Sequence, residues 1–99
     1  MSNKELKDLK NVGKAFLKDL EILGITSVKE LVDQDPTKLF HELEMKTGSH
    51  QDFCVWDVFA AIIDEAKTGH GRPWWNYTKQ RKELQASGVL NHVDSLGSV

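Results

Sequence analysis

The sequence predicts a small all-α domain of five or six short helices. Three observations carry this prediction. No run alternates strictly between apolar and polar residues, so the period-two signature of a strand is missing. Apolar residues recur instead at steps of three and four. The segments they mark are bounded by capping residues, glycines and prolines at the places where helices start and stop. Ninety-nine residues, 39% hydrophobic and 28% charged, are the composition of one globular domain able to bury a core without staples.

The elements follow in order. Ser2 and Glu5 form a capping-box pattern that opens a first short helix burying Leu6 and Leu9. The stretch Lys10-Asn11-Val12-Gly13 interrupts it. A second helix runs from about Lys14 to Leu23, with Phe16, Leu17, Leu20 and Leu23 on one face and Gly24 as its left-handed stop. Ser27 and Glu30 open a helix of one or two turns. Asp35-Pro36 is a cap followed by proline at the first helical position, and the helix it starts ends near Gly48. Ser49 and Asp52 cap the most apolar element, which extends to about Thr68 and carries Phe53, Val55, Trp56, Phe59, Ile62, Ile63 and Ala66. Gly69, Gly71 and Pro73 end it. Trp74, Trp75 and Tyr77 fall in a loop, and Thr78 caps a last helix from Lys79 to Gln85. These elements make residues 1–86 the domain and leave residues 87–99 as a poorly ordered tail, because no period is sustained there.

Composition also sets the setting. The longest apolar stretch, within Phe53–Ile63, is broken by Asp57 and falls short of the ~18–20 residues of a membrane span. The charged N-terminal residues lack the apolar core of a secretory signal. Cys54, the single cysteine, has no internal partner, which fits a reducing cytoplasmic compartment. Net charge is −2, but its distribution is segregated: +3 over residues 1–18, −8 over 19–65 and +5 over 66–82. A local basic face can bind phosphate despite a negative total.

The segment Leu9 to Leu20 carries the clearest mechanism. Its four-residue break needs a tight reversal, for which Gly13 supplies backbone freedom and Asn11 tolerates a left-handed conformation. Val12 plugs the turn into the core. The unpaired N–H groups at the start of the next helix, flanked by Lys10, Lys14 and Lys18, make an anion site suited to a phosphate. This pattern resembles the helix-hairpin-helix family, whose turn usually reads Gly-hydrophobic-Gly. Here Asn11 stands in place of the first glycine, while Val12 and Gly13 match. The resemblance implies a SAM-like five-helix fold. It also implies a DNA backbone held through turn amides with little base reading, and a monovalent cation at the turn in some members.

Downstream, His50 to Phe59 followed by Trp74-Trp75 looks like the pathogenicity-locus family of small bacterial helix-hairpin-helix proteins, over roughly residues 5–82. That likeness implies a fold and DNA binding but no activity. It also raises a second, degenerate hairpin around Thr47-Gly48-Ser49, set against an ordinary helix connection.

The other constellations are weaker. Trp74, Trp75 and Tyr77 beside Arg72, Lys79, Arg81 and Lys82 read either as base-stacking aromatics with phosphate-tracking cations or as tryptophans clamping the last helix, the second being favoured. His50, Asp52 and Cys54 lack the spacing of a metal site. No phosphate-cradling glycine loop, nucleophile elbow or zinc-hydrolase motif is present, so the expectation is a non-catalytic DNA-backbone binder. The alternative is a protein-interaction module that keeps the fold without DNA.

Overall fold

The most apolar stretch of the chain becomes the axis on which everything else packs. A computed structural model describes residues 4–92. In chain order they form a 3-10 turn at Leu6–Asp8, α1 at Lys14–Ile22, α2 at Val28–Leu31, α3 at Pro36–Thr47 and α4 at Cys54–Thr68. A second 3-10 turn at Trp74–Tyr77 leads into α5 at Thr78–Ala86. No strand occurs among the described residues. α4 buries Trp56, Phe59, Ala60, Ala61, Ile62 and Ile63 against Leu39, Phe40 and Leu43 of α3. Leu20, Ile25 and Leu31 close the same core from α1 and its neighbours, with Phe16 tilted on Phe59 at a ring separation of 5.0 Å. The buried Trp56 indole keeps a partner by donating to Thr37 Oγ1 at 2.9 Å, as a desolvated N–H requires.

Local signals set most of the boundaries. Gly24 adopts φ +77°, and the Gly24 and Ile25 N–H groups donate to the carbonyls of Glu21 and Leu20, the paired bonds of a Schellman stop. Asp35 accepts the Thr37 N–H at 2.9 Å, with Pro36 in the first turn. Ser27 caps α2 by accepting the Glu30 N–H, but Glu30 turns its carboxylate to the N–H and hydroxyl of Thr26, so the box is not reciprocal.

Four boundaries differ from the sequence expectation. The first helix is a single 3-10 turn, capped by Glu5 with Asp8 accepting the Glu5 N–H; Ser2 lies outside the described residues. α4 starts at Cys54 rather than at Ser49, because Asp52 caps Cys54 while the Glu44 carboxylate holds the Gln51 N–H and keeps residues 48–53 in a loop. The aromatic segment forms a 3-10 turn where a loop was expected. The packed structure also runs past residue 86. Gly88 turns at φ +81°, the Leu84 carbonyl accepts the N–H groups of Val89 and Leu90, and Leu90 is buried in the core. Residues 87–92 therefore belong to the packed structure, and the rest of the expected tail, 93–99, lies outside the described residues.

Three carboxylates are buried among these apolar groups, and each ties down a separate segment. Glu44 of α3 accepts from Gln51 N–H at 2.9 Å and meets His92 Nδ1 at 2.6 Å. Asp57 of α4 accepts from the Thr78 hydroxyl at 2.7 Å and from Arg81 Nε at 3.1 Å, fixing α5. Glu65 of α4 accepts from the Lys10 backbone N–H and from Lys4 Nζ, both at 2.9 Å, fixing the N-terminal turn.

Three outcomes are expected. Leu90→Ala leaves a cavity in the core and costs roughly 2–5 kcal/mol in urea unfolding, whereas a residue in a disordered tail would cost nothing. Arg81→Ala strands the buried Asp57 and lowers stability by about 3–5 kcal/mol in the same measurement. Tyr77, the chain's one tyrosine, is half-buried and donates to Asp64 Oδ2 at 2.6 Å. Burial first, then this bond and the Asp64 charge, push its hydroxyl from the ordinary value of 10 to about 12. Because the folded value is raised, its stabilising contribution is present below about pH 10 and is lost as pH rises toward 12. Ultraviolet titration of tyrosinate should show the high midpoint, and Asp64→Asn should bring it down.

Candidate nucleic-acid interface

The turn before α1 is built by burying its two aliphatic ends. Leu9 is buried, Val12 packs partly buried on the core as the sequence suggested, and the Val12 N–H donates to the Leu9 carbonyl at 3.2 Å. Glu65 holds the Lys10 N–H from below. Gly13, Lys14 and Ala15 then emerge at the surface, with Lys10 and Lys18 also exposed. Gly13 is the N-cap of α1, and no side chain caps the helix there. No acid sits in the first turn either. An α-helix start leaves its first amides without intrahelical partners, so this end presents N–H groups and positive dipole charge beside lysines.

The reason for the glycine differs from the expected one. Gly13 has φ −101° and ψ −176°, extended backbone that any residue adopts. Among the described residues no non-glycine has positive φ, so Asn11 does not use left-handed freedom either. A Cβ built on Gly13 meets nothing within 4 Å. Neither local conformation nor internal packing requires a glycine at this place.

Asn11 has a different task. Its Nδ2 donates to the Arg72 carbonyl at 2.7 Å, and its Oδ1 accepts the Trp74 N–H at 3.1 Å. One amide thereby straps the 72–74 segment to a turn more than sixty residues earlier. Gly71 completes the junction. A Cβ there would stand 2.8 Å from both Glu65 Oε1 and Lys10 Cβ, so the backbone passes over Lys10 at a distance only glycine allows. Sequence reasoning missed Glu65, and it took Gly71 for a helix stop. Nothing within either local stretch reveals the tertiary contact.

The basic–aromatic segment divides. Arg72 is exposed and lies beside the turn through its backbone bond to Asn11. Arg81, expected at the phosphate face, is withdrawn from it: its guanidinium bonds Asp57 and Gln85, and the side chain is only 13% exposed. The physical reason is the buried Asp57 carboxylate, which draws in the nearest cation. Lys79 and Lys82 are exposed on α5, which packs on α4 and the second 3-10 turn. The favoured clamp reading of the tryptophans is corrected for Trp75, which is 62% exposed, whereas Trp74 is half-buried. Tyr77 ties its segment to α4 through the bond of its hydroxyl to Asp64.

The 50–54 constellation does not converge. His50 stacks on His92 at 4.4 Å, and Asp52 accepts the Cys54 N–H. Burial, then the neighbouring Asp52, push the Cys54 thiol up, away from a reactive thiolate. Among the described residues no group of three or more His, Cys, Asp or Glu side chains is arranged to hold a metal ion. No helix among them is long and apolar enough to cross a membrane.

The pathogenicity-locus family model matches residues 1–83. The mitomycin resistance protein McrB of Streptomyces lavendulae is 37% identical over 82 residues, covering 83% of this chain and 78% of the relative. No solved structure matches. A family model that spans most of the chain, together with this relative, shows that the chain belongs to the pathogenicity-locus family.

Proposed function

We propose that this protein binds the DNA backbone weakly, without catalysis and largely without sequence preference, through the turn Lys10–Lys14. On this reading the turn is a helix-hairpin-helix motif whose first helix is reduced to one 3-10 turn, working in the cytoplasm. The observation that carries it is Gly13. It sits where α1 presents its amides, its outer side is open, and nothing inside the protein needs it to lack a side chain. Close approach of a phosphate to the backbone is what such a glycine permits. Lys10, Lys14 and Lys18 supply the countercharge, and Asn11 ties the backbone at Arg72 to the same turn.

The Streptomyces relative is named for resistance to mitomycin. A resistance role for this chain would follow from what it binds.

A protein-interaction module is the second reading, and the exposed Met45 on α3 favours it. Its other support, the acidic middle segment, is weaker than the charge count implies. Glu44, Asp57 and Glu65 are buried and paired, so three of the eleven acids in residues 19–65 do not face a partner.

Two substitutions test the proposal on a random-sequence duplex. Gly13→Ser places a preferred capping oxygen over the same amides, so stability should hold or rise by a few tenths of a kcal/mol while DNA affinity falls. Lys14→Glu, on an exposed residue, should reduce affinity about tenfold at low salt while stability holds or rises by up to about 1 kcal/mol, since an acid at the helix start suits its dipole. With three to five phosphate contacts, raising salt from ~50 to ~200 mM should weaken wild-type binding roughly forty- to five-hundredfold. Wild-type affinity in both variants at low salt would refute the assignment and send the search to protein partners.

A further inference from the structure

Among the described residues Trp75 is the one large aromatic ring set out in solvent, on the segment that Asn11 ties to this turn, and its exposure is not the looseness of a floppy loop. Its 3-10 turn is braced on both sides. The Trp74 N–H is held by Asn11, the Asn76 N–H donates to the Pro73 carbonyl at 3.1 Å, and the Tyr77 hydroxyl is anchored on Asp64. The Trp74 ring meets the Trp75 ring edge-on, with centroids 5.7 Å apart and planes at 81°. A ring of this size left 62% exposed forgoes most of the burial that ordinarily rewards tryptophan. The structure therefore holds an apolar, flat surface in a fixed place without using it internally.

Its surroundings indicate what fits there. Arg72, three residues earlier, is exposed, and its carbonyl is bonded to Asn11 of the turn. The Lys10 N–H is fixed by Glu65, and Gly71 passes directly over the Lys10 side chain. The backbone that carries Arg72 and Trp75 is thus tied at Lys10 and Asn11 to the turn that carries the lysines and amides. A cationic track with an aromatic platform is the chemistry that binds a nucleic-acid strand whose bases are unstacked. An intact duplex offers phosphates to the turn but no free base face to the indole.

We propose that Trp75 stacks on an unpaired base next to the phosphates held at Lys10–Lys14, so that the protein prefers duplex DNA bearing a single-stranded overhang or gap over blunt duplex. This inference rests on the proposed DNA-backbone reading and adds a preference among DNA structures. It leaves sequence readout absent, because stacking accepts any base.

The test compares fluorescence anisotropy of two labelled DNAs, a blunt duplex and the same duplex with a short single-stranded overhang, against the full chain. Wild type should bind the overhang DNA at least about fivefold more tightly, as one stacked base provides. Trp75→Ala should bind both DNAs with the wild-type affinity for blunt duplex, its circular dichroism unchanged because the ring is exposed. Trp75→Phe should keep part of the preference. Lys14→Glu should weaken both DNAs together. Equal wild-type affinities, or a preference that survives Trp75→Ala, overturn the stacking role and leave the backbone reading standing. Failure of the wild type to bind either DNA at low salt overturns both.

Discussion

A carboxylate taken out of water must be met by hydrogen-bond donors or cations, and this constraint at Glu65, Asp57 and Glu44 organises the periphery of the domain. The apolar faces of α3 and α4 pack with little need of direction, as hydrophobic burial does. The carboxylates add direction. Glu65 requires the Lys10 N–H and Lys4, Asp57 requires Thr78 and Arg81, and Glu44 takes Gln51 and His92. Four segments outside the α3–α4 pair thereby acquire defined places, alongside the few apolar side chains each sends into the core: the N-terminal turn, the 48–53 loop, α5 and the chain around residue 92. Removing one partner would cost more than a surface bond, because the carboxylate left behind stays buried.

The candidate interface inherits its geometry from one of these pairings. Glu65 fixes Lys10, Gly71 lets the returning chain pass over it, and Asn11 then receives Arg72 and Trp74. The surface residues of the site are thus held at their backbone while their side chains remain outside. Pre-organisation of this kind limits the ordering cost of binding, which matters most for a weak contact such as the proposed one with a few phosphates. The same logic explains why Asn11 is not an imperfect copy of a glycine. Its short amide has one donor and one acceptor facing a carbonyl and an N–H, a match no glycine can provide.

What was legible in the sequence was local. The Gly24 stop, the Asp35-Pro36 start and the apolar face of α4 are decided by neighbours within one or two helical turns, and each is found as expected. Family membership was legible too, through the run from His50 to Phe59 and the paired tryptophans. The illegible features depend on distance. Arg81 reads as a surface cation until Asp57, twenty-four residues away, is seen to be buried beside it. Asp57 itself reads as a polar interruption of an apolar face. α4 begins late because of Glu44, on another helix. Leu90 stands in a stretch without period, yet a glycine turn and two bonds to Leu84 suffice to bring it into the core.

Charge gives the same lesson in another form. A net charge of −2 with a strongly acidic middle argues against a nucleic-acid partner only if every charge is equally exposed. Folding removes three acids from the surface by burial and removes Arg81 from the basic cluster by the same pairing. What remains around α1's first turn is Lys10, Lys14 and Lys18, with no acid in the first turn of the helix. Screening confines surface electrostatics to about 8 Å at physiological salt, so a phosphate bound at Gly13 as proposed would respond mainly to this neighbourhood and little to the total. The exposed glycine, the uncapped amides and the three lysines lie within one stretch, residues 10–18, that carries no acid although the total charge is −2.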